Sequence, residues 1–337
     1  MPRRPDRPSA LAWQVFRASE AIRAGLVTAH RLHSSAWVNL RRDIYADSRL
    51  DSDHVLACRA ASLQLPPGAM IAGPSAALLH GVEHAAELSD DVHVASPRTA
   101  GLRSQRGLRV HLTDRLPASQ CPAPIPLPSI SRAEPWPRDA TGQPGGLALA
   151  ETAPVPVAVA AWALPRTDPT TAAWETAVWL EPLRAVGIID SLLRKELTTR
   201  DALTAIGVRN AERPGGRRAR WVFDLADPGA QSPPESELRV RLVLAGLPRP
   251  LAQHPIRLAS GIVEHLDLTW PTFRVAVEHD GRRQADIEQL HRDRQRFEQL
   301  VGAGWLVLHV TSQRLRHDFP AFAREVHAAL ASRGWRR

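Results

Sequence analysis

The stretch from His265 to Gly281, HLDLTWPTFRVAVEHDG, decides how the last hundred residues are read. Most of it is apolar and alternating, as two strands of a buried hairpin would be. Asp267, Glu278 and Asp280 interrupt that pattern. Side chains alternate faces along a strand. A two-residue turn at Pro271-Thr272 pairs Trp270 with Phe273 and sets Asp267 opposite Ala276. Asp267 then shares a face with Glu278, a diagonal neighbour ~7–8 Å away at Cα. Two carboxylates so close repel each other and are costly to bury unless a cation joins them. A divalent ion, Mg²⁺ or Mn²⁺, between Asp267 and Glu278 meets that need, and such an ion polarises a phosphodiester and its attacking water. The other reading is an ordinary surface network in which Arg274 and a second arginine pair with the two acids.

Upstream, SPPESELRVRLVLAGLPRP opens a helix at Ser232 and its proline pair, with Leu238, Leu242, Val243 and Leu244 as the buried side and Gly246 as the end. Glu235 lies in the first turn, where a carboxylate suits the helix dipole. QHPIRLA, IVEHLDLTW and FRVAVEHD read as strands. DIEQLHRDRQRFEQLVGAG reads as a long helix capped by Asp286, with Leu290, Phe297, Leu300 and Val301 turned inward. WLVLHVT is a further strand and DFPAFAREVHAALASRG a closing helix. The expected order is α-β-β-β-α-β-α, an α/β domain spanning 231–337.

These residues carry a resemblance. PPESELR, HLDLTWP, VEHDG, RDRQR and GWLVLHVT, in that order between Pro234 and Thr311, resemble a family of uncharacterised bacterial domains related to the very-short-patch-repair endonucleases. That family belongs to the restriction-endonuclease-like, or PD-(D/E)xK, superfamily. The resemblance implies an α/β sandwich around a mixed sheet and a Mg²⁺-dependent DNA endonuclease. By motif position it makes Glu235 the first-helix acid and Asp267 the metal-binding acid after the second strand. Glu278, the second metal ligand, and Asp280 stand at the next strand's end, and Asp293 and Arg296 match the following helix. Arg296 or Arg274 would stabilise the transition state, since arginine stays charged. Two departures stand out. The superfamily's usual Lys is Asp280 here, and the His expected after Asp-Gly is Gln284. A His shuttles protons near neutral pH and a Gln does not, so proton transfer falls to His279 or to water on the metal.

The first 50 residues read differently. SEAIRAGL fits a helix capped by Ser19 and closed by Gly25, with Ala21, Ile22 and Leu26 as its apolar stripe. Thr28 caps a second helix, AHRLHSS. WVNL and IYA are strands joined by Arg41-Arg42-Asp43. Helix, turn, helix and hairpin is the order of a winged helix-turn-helix. His30, Arg31 and His33 would then lie on the recognition helix, with Arg41 and Arg42 at the wing, all toward nucleic acid. The other reading is a small helical cap with a solvated basic face. In 51–116, HVLACRAASLQL and PSAALLHG read as helices, and VHVAS and LRVHLTD as strands. AIRAGLVTAHRL, LRRDIYA, AGPSAALLHGV and VHVASP together resemble the AbiEi-type transcriptional-regulator antitoxins of actinobacteria, over about residues 10 to 116.

Between these ends, 117–153 is rich in Pro and Gly without a period, the composition of a tether. Residues 154–230 read as mostly helical, with Trp174, Trp179 and Trp221 as core and Arg217, Arg218 and Arg220 as a basic cluster. The formal charge of +8 over 337 residues favours an anionic partner, DNA first. Nearly all of the positive charge is arginine, Lys195 being the one lysine. Cys58 and Cys121 are far apart, against a disulfide framework or a thiolate zinc site. No apolar run approaches the roughly 18 residues of a membrane span. MPRRPDRPSALAW lacks an apolar segment before a cleavage site, so a cytoplasmic protein is expected. Two functions follow from these observations: a metal-dependent DNA endonuclease, or a non-catalytic DNA-binding regulator or antitoxin that uses the nuclease fold as a scaffold. A toxin partner or a second copy of the chain is compatible with either. A purely protein-binding module fits the basic charge least.

Overall fold

The computed structural model describes residues 7–114, 164–258, 260–280 and 287–336, with side chains of the last segment from residue 294 onward. The Pro/Gly-rich stretch, Cys121, Gln284, Asp286 and the side chains of Leu290 and Asp293 lie outside the described residues. The chain is of the mixed α/β class, with three small sheets among the described residues. Contacts group it into two compact units, one of Met1–Leu79 with Ala86–Asp168, the other of His80–Ala85 with Pro169–Arg337. The helical middle, from Pro169 onward, belongs to the same unit as the C-terminal sheet. Among the described residues no helix is long and apolar enough to cross a membrane.

The first unit holds β1 (Val15–Arg17), α1 (Ala18–Arg23), β2 (Trp37–Arg41), β3 (Ile44–Asp47), α2 (His54–Ser62), β4 (Met70–Ile71), α3 (Gly73–Leu79), β5 (Val92–Pro97) and β6 (Leu108–Thr113). Its first sheet is antiparallel in the order β1-β3-β2, and Phe16, Trp37, Leu32 and Ala21 pack against one another. Strand β1 was not expected; three residues are too few to show a period. Nor does Ser19 cap α1. The cap position is Arg17, and Asp43 of the β2–β3 turn accepts from Ser19 N at 2.8 Å and Ser19 Oγ at 2.6 Å. Asp43 does this from a left-handed backbone, φ 63°, which Asp tolerates better than most residues. The expected second helix is only a 3-10 turn, Arg31–His33. Thr28 Oγ1 accepts from Arg31 N at its start, but His30, Arg31, His33, Ser34 and Ser35 leave the segment little apolar face to hold a longer helix. The second sheet pairs β4 antiparallel and β6 parallel to β5.

The second unit begins with four helices, α4 (Pro169–Trp179), α5 (Pro182–Arg194), α6 (Arg200–Arg209) and α7 (Gly216–Leu225). Glu181 and Pro182 divide α4 from α5, and the Glu181 side chain caps α5. Trp174 is buried, whereas Trp221, expected in the core, is 41% exposed. Helix α8 (Pro233–Leu244) follows, capped by Ser232 as its sequence requires. Then come β7 (Leu251–Arg257), β8 (Val263–Trp270), β9 (Val275–Asp280), α9 (Ile287–Gly302), β10 (Leu306–Thr311), α10 (Ser312–His317) and α11 (Phe319–Ser332). The sheet order is β10-β9-β8-β7, with β7, β8 and β9 antiparallel in series and β10 parallel to β9. One face packs Leu268, Trp270, Val275 and Val277 against Leu238, Leu242, Phe322 and Val326 of α8 and α11. The other packs Leu266 and Ala276 against Leu300 of α9. Leu300 is buried as expected, but Phe297, Val301 and Leu244 are largely exposed.

The hairpin differs from expectation in register. Pro271–Phe273 forms a 3-10 turn, Arg274 takes the left-handed conformation, and Trp270 pairs with Val275 rather than Phe273. A two-residue hairpin turn needs positive φ at its first central residue, which proline cannot adopt. The turn therefore grows by two residues. An even shift keeps the three paired rungs on their faces. Beyond them the expected shared face of Asp267 and Glu278 is not kept: Asp267 turns to Gln253, which also holds Glu235 of α8, and Glu278 turns to Arg296 of α9.

Candidate functional site

Glu235 and Asp267 form one group of carboxylates, Glu264 and Glu278 a second, and Asp280 stands apart with His309. Strands β8 and β9 share only three rungs, ending at Leu268 with Val277, while β8 runs beside β7 along most of its length. Asp267 is the first residue past the last rung, where β8 parts from β9. There the alternation breaks as well: Leu266 and Leu268, two apart, pack in different clusters on different faces. On β7, between the residues paired with Leu268 and Leu266, Gln253 has φ 50°. A left-handed non-glycine residue within a strand carries strain, which gathers at sites whose surroundings hold it in place.

Asp267 fills the fork. Its Oδ2 accepts from the backbone N–H of His279 at 2.8 Å, replacing a strand partner, and its Oδ1 accepts from Gln253 Nε2 at 3.0 Å. The same nitrogen donates to Glu235 Oε2 at 3.3 Å. One amide group of β7 thus bridges an acid of α8 and an acid of β8. Glu235 is 9% exposed and has a second duty. Its Oε2 accepts from Gln231 N and its Oε1 from Ser232 Oγ, both at 2.8 Å, so it fastens the residue before the cap and the cap hydroxyl to the first turn of α8. The helix-start role expected for Glu235 and its place beside Asp267 are therefore both present. His265 Nδ1 meets the Gln253 carbonyl oxygen at 3.0 Å and ties the strained residue down.

Glu278 stands in the second group, on the α9 face. Arg296 of α9 donates from Nη1 and Nη2 to its two oxygens at 2.9 and 2.7 Å, and from Nε to Glu264 Oε2 at 2.7 Å. Burial would lower the Arg296 pKa, but its hydrogen bonds to Glu278 and Glu264 outweigh burial and hold it well above the ordinary value. The arginine that pairs with Glu278 is thus Arg296; Arg274 sits in the turn against Gly304. Asp280 is exposed at the end of β9 and meets His309 Nδ1 at 3.1 Å. His279 Nε2 meets Ser312 Oγ at 3.1 Å. The structure therefore joins Asp267 to Glu235 and Glu278 to Arg296, and engages Asp267 and Glu278 with different partners. Among the described residues no group of three or more His, Cys, Asp or Glu stands ready to hold a metal ion. The pair that best fits one is Glu235 with Asp267: hard oxygen donors, one or two of which plus water suit Mg²⁺.

In the first unit, His30, Arg31 and His33 are exposed on the 3-10 turn while Leu32 anchors it in the core. Arg42 is exposed at the hairpin tip. Arg41, expected beside it at the wing, instead turns inward and donates from Nη2 to the Gly107 carbonyl. Burial lowers its pKa. Sequence reasoning missed Gln253 and Glu264. Gln253 becomes visible only once β7 is paired with β8, because nothing local marks it. Glu264 lay in plain view on β8, an acid one strand from Glu278.

Two uncharacterised proteins from two strains of Mycobacterium tuberculosis are each 30% identical to this chain over 153 residues, 45% of this chain and 56% of each relative. The chain thus spans about half the length of the curated relatives it matches. No family model matches it, and no solved structure does.

Proposed function

We propose that the second unit is a metal-dependent endonuclease domain acting on DNA phosphodiesters, carried with a DNA-binding first unit. The observation that carries this reading is the single nitrogen of Gln253 held between Glu235 and Asp267. Two acids from separate elements converge on one small electropositive group, in a fork of the sheet, on a strained residue. Glu235 and Asp267 would hold the ion. Bound there, a divalent cation would polarise a phosphodiester and activate water for attack. Arg296 faces the same end of the sheet with a planar fork that matches a phosphate as well as a carboxylate. His30, Arg31, His33 and Arg42 would hold the duplex by its backbone, in keeping with the net charge of +8. The order α8-β7-β8-β9-α9-β10 supports the likeness to restriction-endonuclease-like domains.

The test is cleavage of supercoiled and linear DNA with Mg²⁺, Mn²⁺ or chelator, beside Asp267→Ala. Metal-dependent cutting that the variant loses is the expected result. A second reading, a DNA-binding regulator or antitoxin without catalysis, is favoured by Glu278, whose two oxygens both go to Arg296. Mobility shifts without cutting under every condition would establish that reading and sink the first.

A further inference from the structure

We propose that Gln253 is a two-state ligand of the candidate metal site: its amide nitrogen stands in for the cation in the metal-free chain, and its amide oxygen joins Glu235 and Asp267 on the ion when one binds. This rests on the endonuclease reading above and names a residue that reading does not use. Gln253 Nε2 donates to Asp267 Oδ1 at 3.0 Å and to Glu235 Oε2 at 3.3 Å. Two facing acids need an electropositive neighbour, and a neutral NH₂ supplies two donors without adding charge. A carboxamide carries donor and acceptor on one carbon, so half a turn about its last bond exchanges them. That turn would present Oε1 where Nε2 had been, to a cation that accepts oxygen donors. Lysine at this position would fill the first role only, and glutamate the second only.

The backbone supports the assignment. Gln253 is held at φ 50° inside β7, and its carbonyl is fixed by His265 Nδ1 at 3.0 Å. Regular strand geometry would turn the side chain to one face of the sheet. The left-handed twist coincides instead with a side chain directed at the fork, between α8 and β8. Strain kept at one polar residue of an otherwise ordinary strand is the mark of a position set by its surroundings.

The test is a titration of the full chain with Mn²⁺, reading free Mn²⁺ by electron paramagnetic resonance, with urea midpoints recorded without metal. Wild type should take up Mn²⁺, and Asp267→Asn should lose it. Gln253→Ala should weaken uptake by about tenfold. Gln253→Glu should tighten uptake and lower the metal-free urea midpoint, because three acids then face one another. Gln253→Lys should keep or raise that midpoint and abolish uptake. If wild type binds, Asp267→Asn does not, and the three Gln253 variants bind like wild type, the inference is overturned while the site reading stands. If wild type takes up no Mn²⁺, both fall together.

Discussion

Arg296 grips both oxygens of Glu278, at 2.7 and 2.9 Å, while its third nitrogen holds Glu264 at 2.7 Å. Two acids on neighbouring strands are therefore kept together by one guanidinium. Arg296→Ala leaves them facing each other unpaired and should cost about 2 kcal/mol. Adding Glu264→Gln and Glu278→Gln to that variant should restore most of the loss. Urea unfolding measures both; an unchanged midpoint in the single variant would show that the grip contributes nothing.

Asp190 and Arg239 form a buried ion pair at 2.7 Å, with side chains 1% and 0% exposed. Asp190 also accepts from Ser236 Oγ and from Asp227 N, so it ties α5 to the start of α8, one residue from Glu235. Asp190→Ala strands a buried guanidinium and should cost about 3–5 kcal/mol. Replacing both partners, Asp190→Leu with Arg239→Met, should recover most of that. Equal losses in the single and double variants would contradict this account.

His93 and His111 stack in the first unit with ring nitrogens 3.1 Å apart. Burial, with the nearby Arg109 charge, lowers His93 to about 4. Burial, with His93 beside it, lowers His111 to about 3. Both are neutral when folded, while the unfolded chain takes up protons below about 6.5. Their contribution is thus fully present above pH 6.5 and is lost as pH falls toward 4. The urea midpoint should drop across that window, and His93→Gln with His111→Gln should flatten the drop. A profile of unchanged slope in the double variant would refute it.

Asp43 both adopts a left-handed backbone and holds the start of α1 through Ser19. Asp43→Gly relieves the strain but loses the hydrogen bonds. Asp43→Ala loses the bonds and keeps the strain, at a cost of about 1–2 kcal/mol. Thermal unfolding should rank wild type above glycine and glycine above alanine. Alanine equal to glycine would remove the strain from this argument.

Arg42 and Arg41 are adjacent, yet only Arg42 is exposed. On the DNA-binding reading, Arg42→Ala should weaken DNA binding for every sequence and reduce the salt slope by about 1. Arg41→Ala, which loses the bond to Gly107, should lower stability and leave the slope alone. Salt titrations of a mobility shift distinguish them; equal slopes for both variants would break the distinction.

The order of elements from Ser232 onward was legible because each strand is short, apolar and punctuated, and because Ser232 marks its own helix start. The hairpin register differs by two residues from the one a two-residue turn predicts, because Pro271 cannot take the positive φ that such a turn needs. The pairing of Asp267 with Gln253 and Glu235 had no local sign: it depends on which residues three separate elements bring level. Arg296 was singled out by likeness, but its partners Glu278 and Glu264 are a fact of packing. Phe297, Val301, Leu244 and Trp221 were expected inside because helical spacing marks an apolar stripe wider than the neighbouring elements cover.

The parallel pairing of β10 with β9 has a consequence for how the unit assembles. Strands β7, β8 and β9 follow one another directly, so Gln253 and Asp267 meet through short loops. Strand β10 reaches β9 only after α9 has crossed the sheet. Contacts close in sequence form early in folding, and those that must first close a long loop form late. Gln253 and Asp267, 14 residues apart, therefore belong to the part that organises first, whereas the reach of Arg296 to Glu264, 32 residues away, waits for α9 to dock. The arginine grip is a late addition to a fork already made.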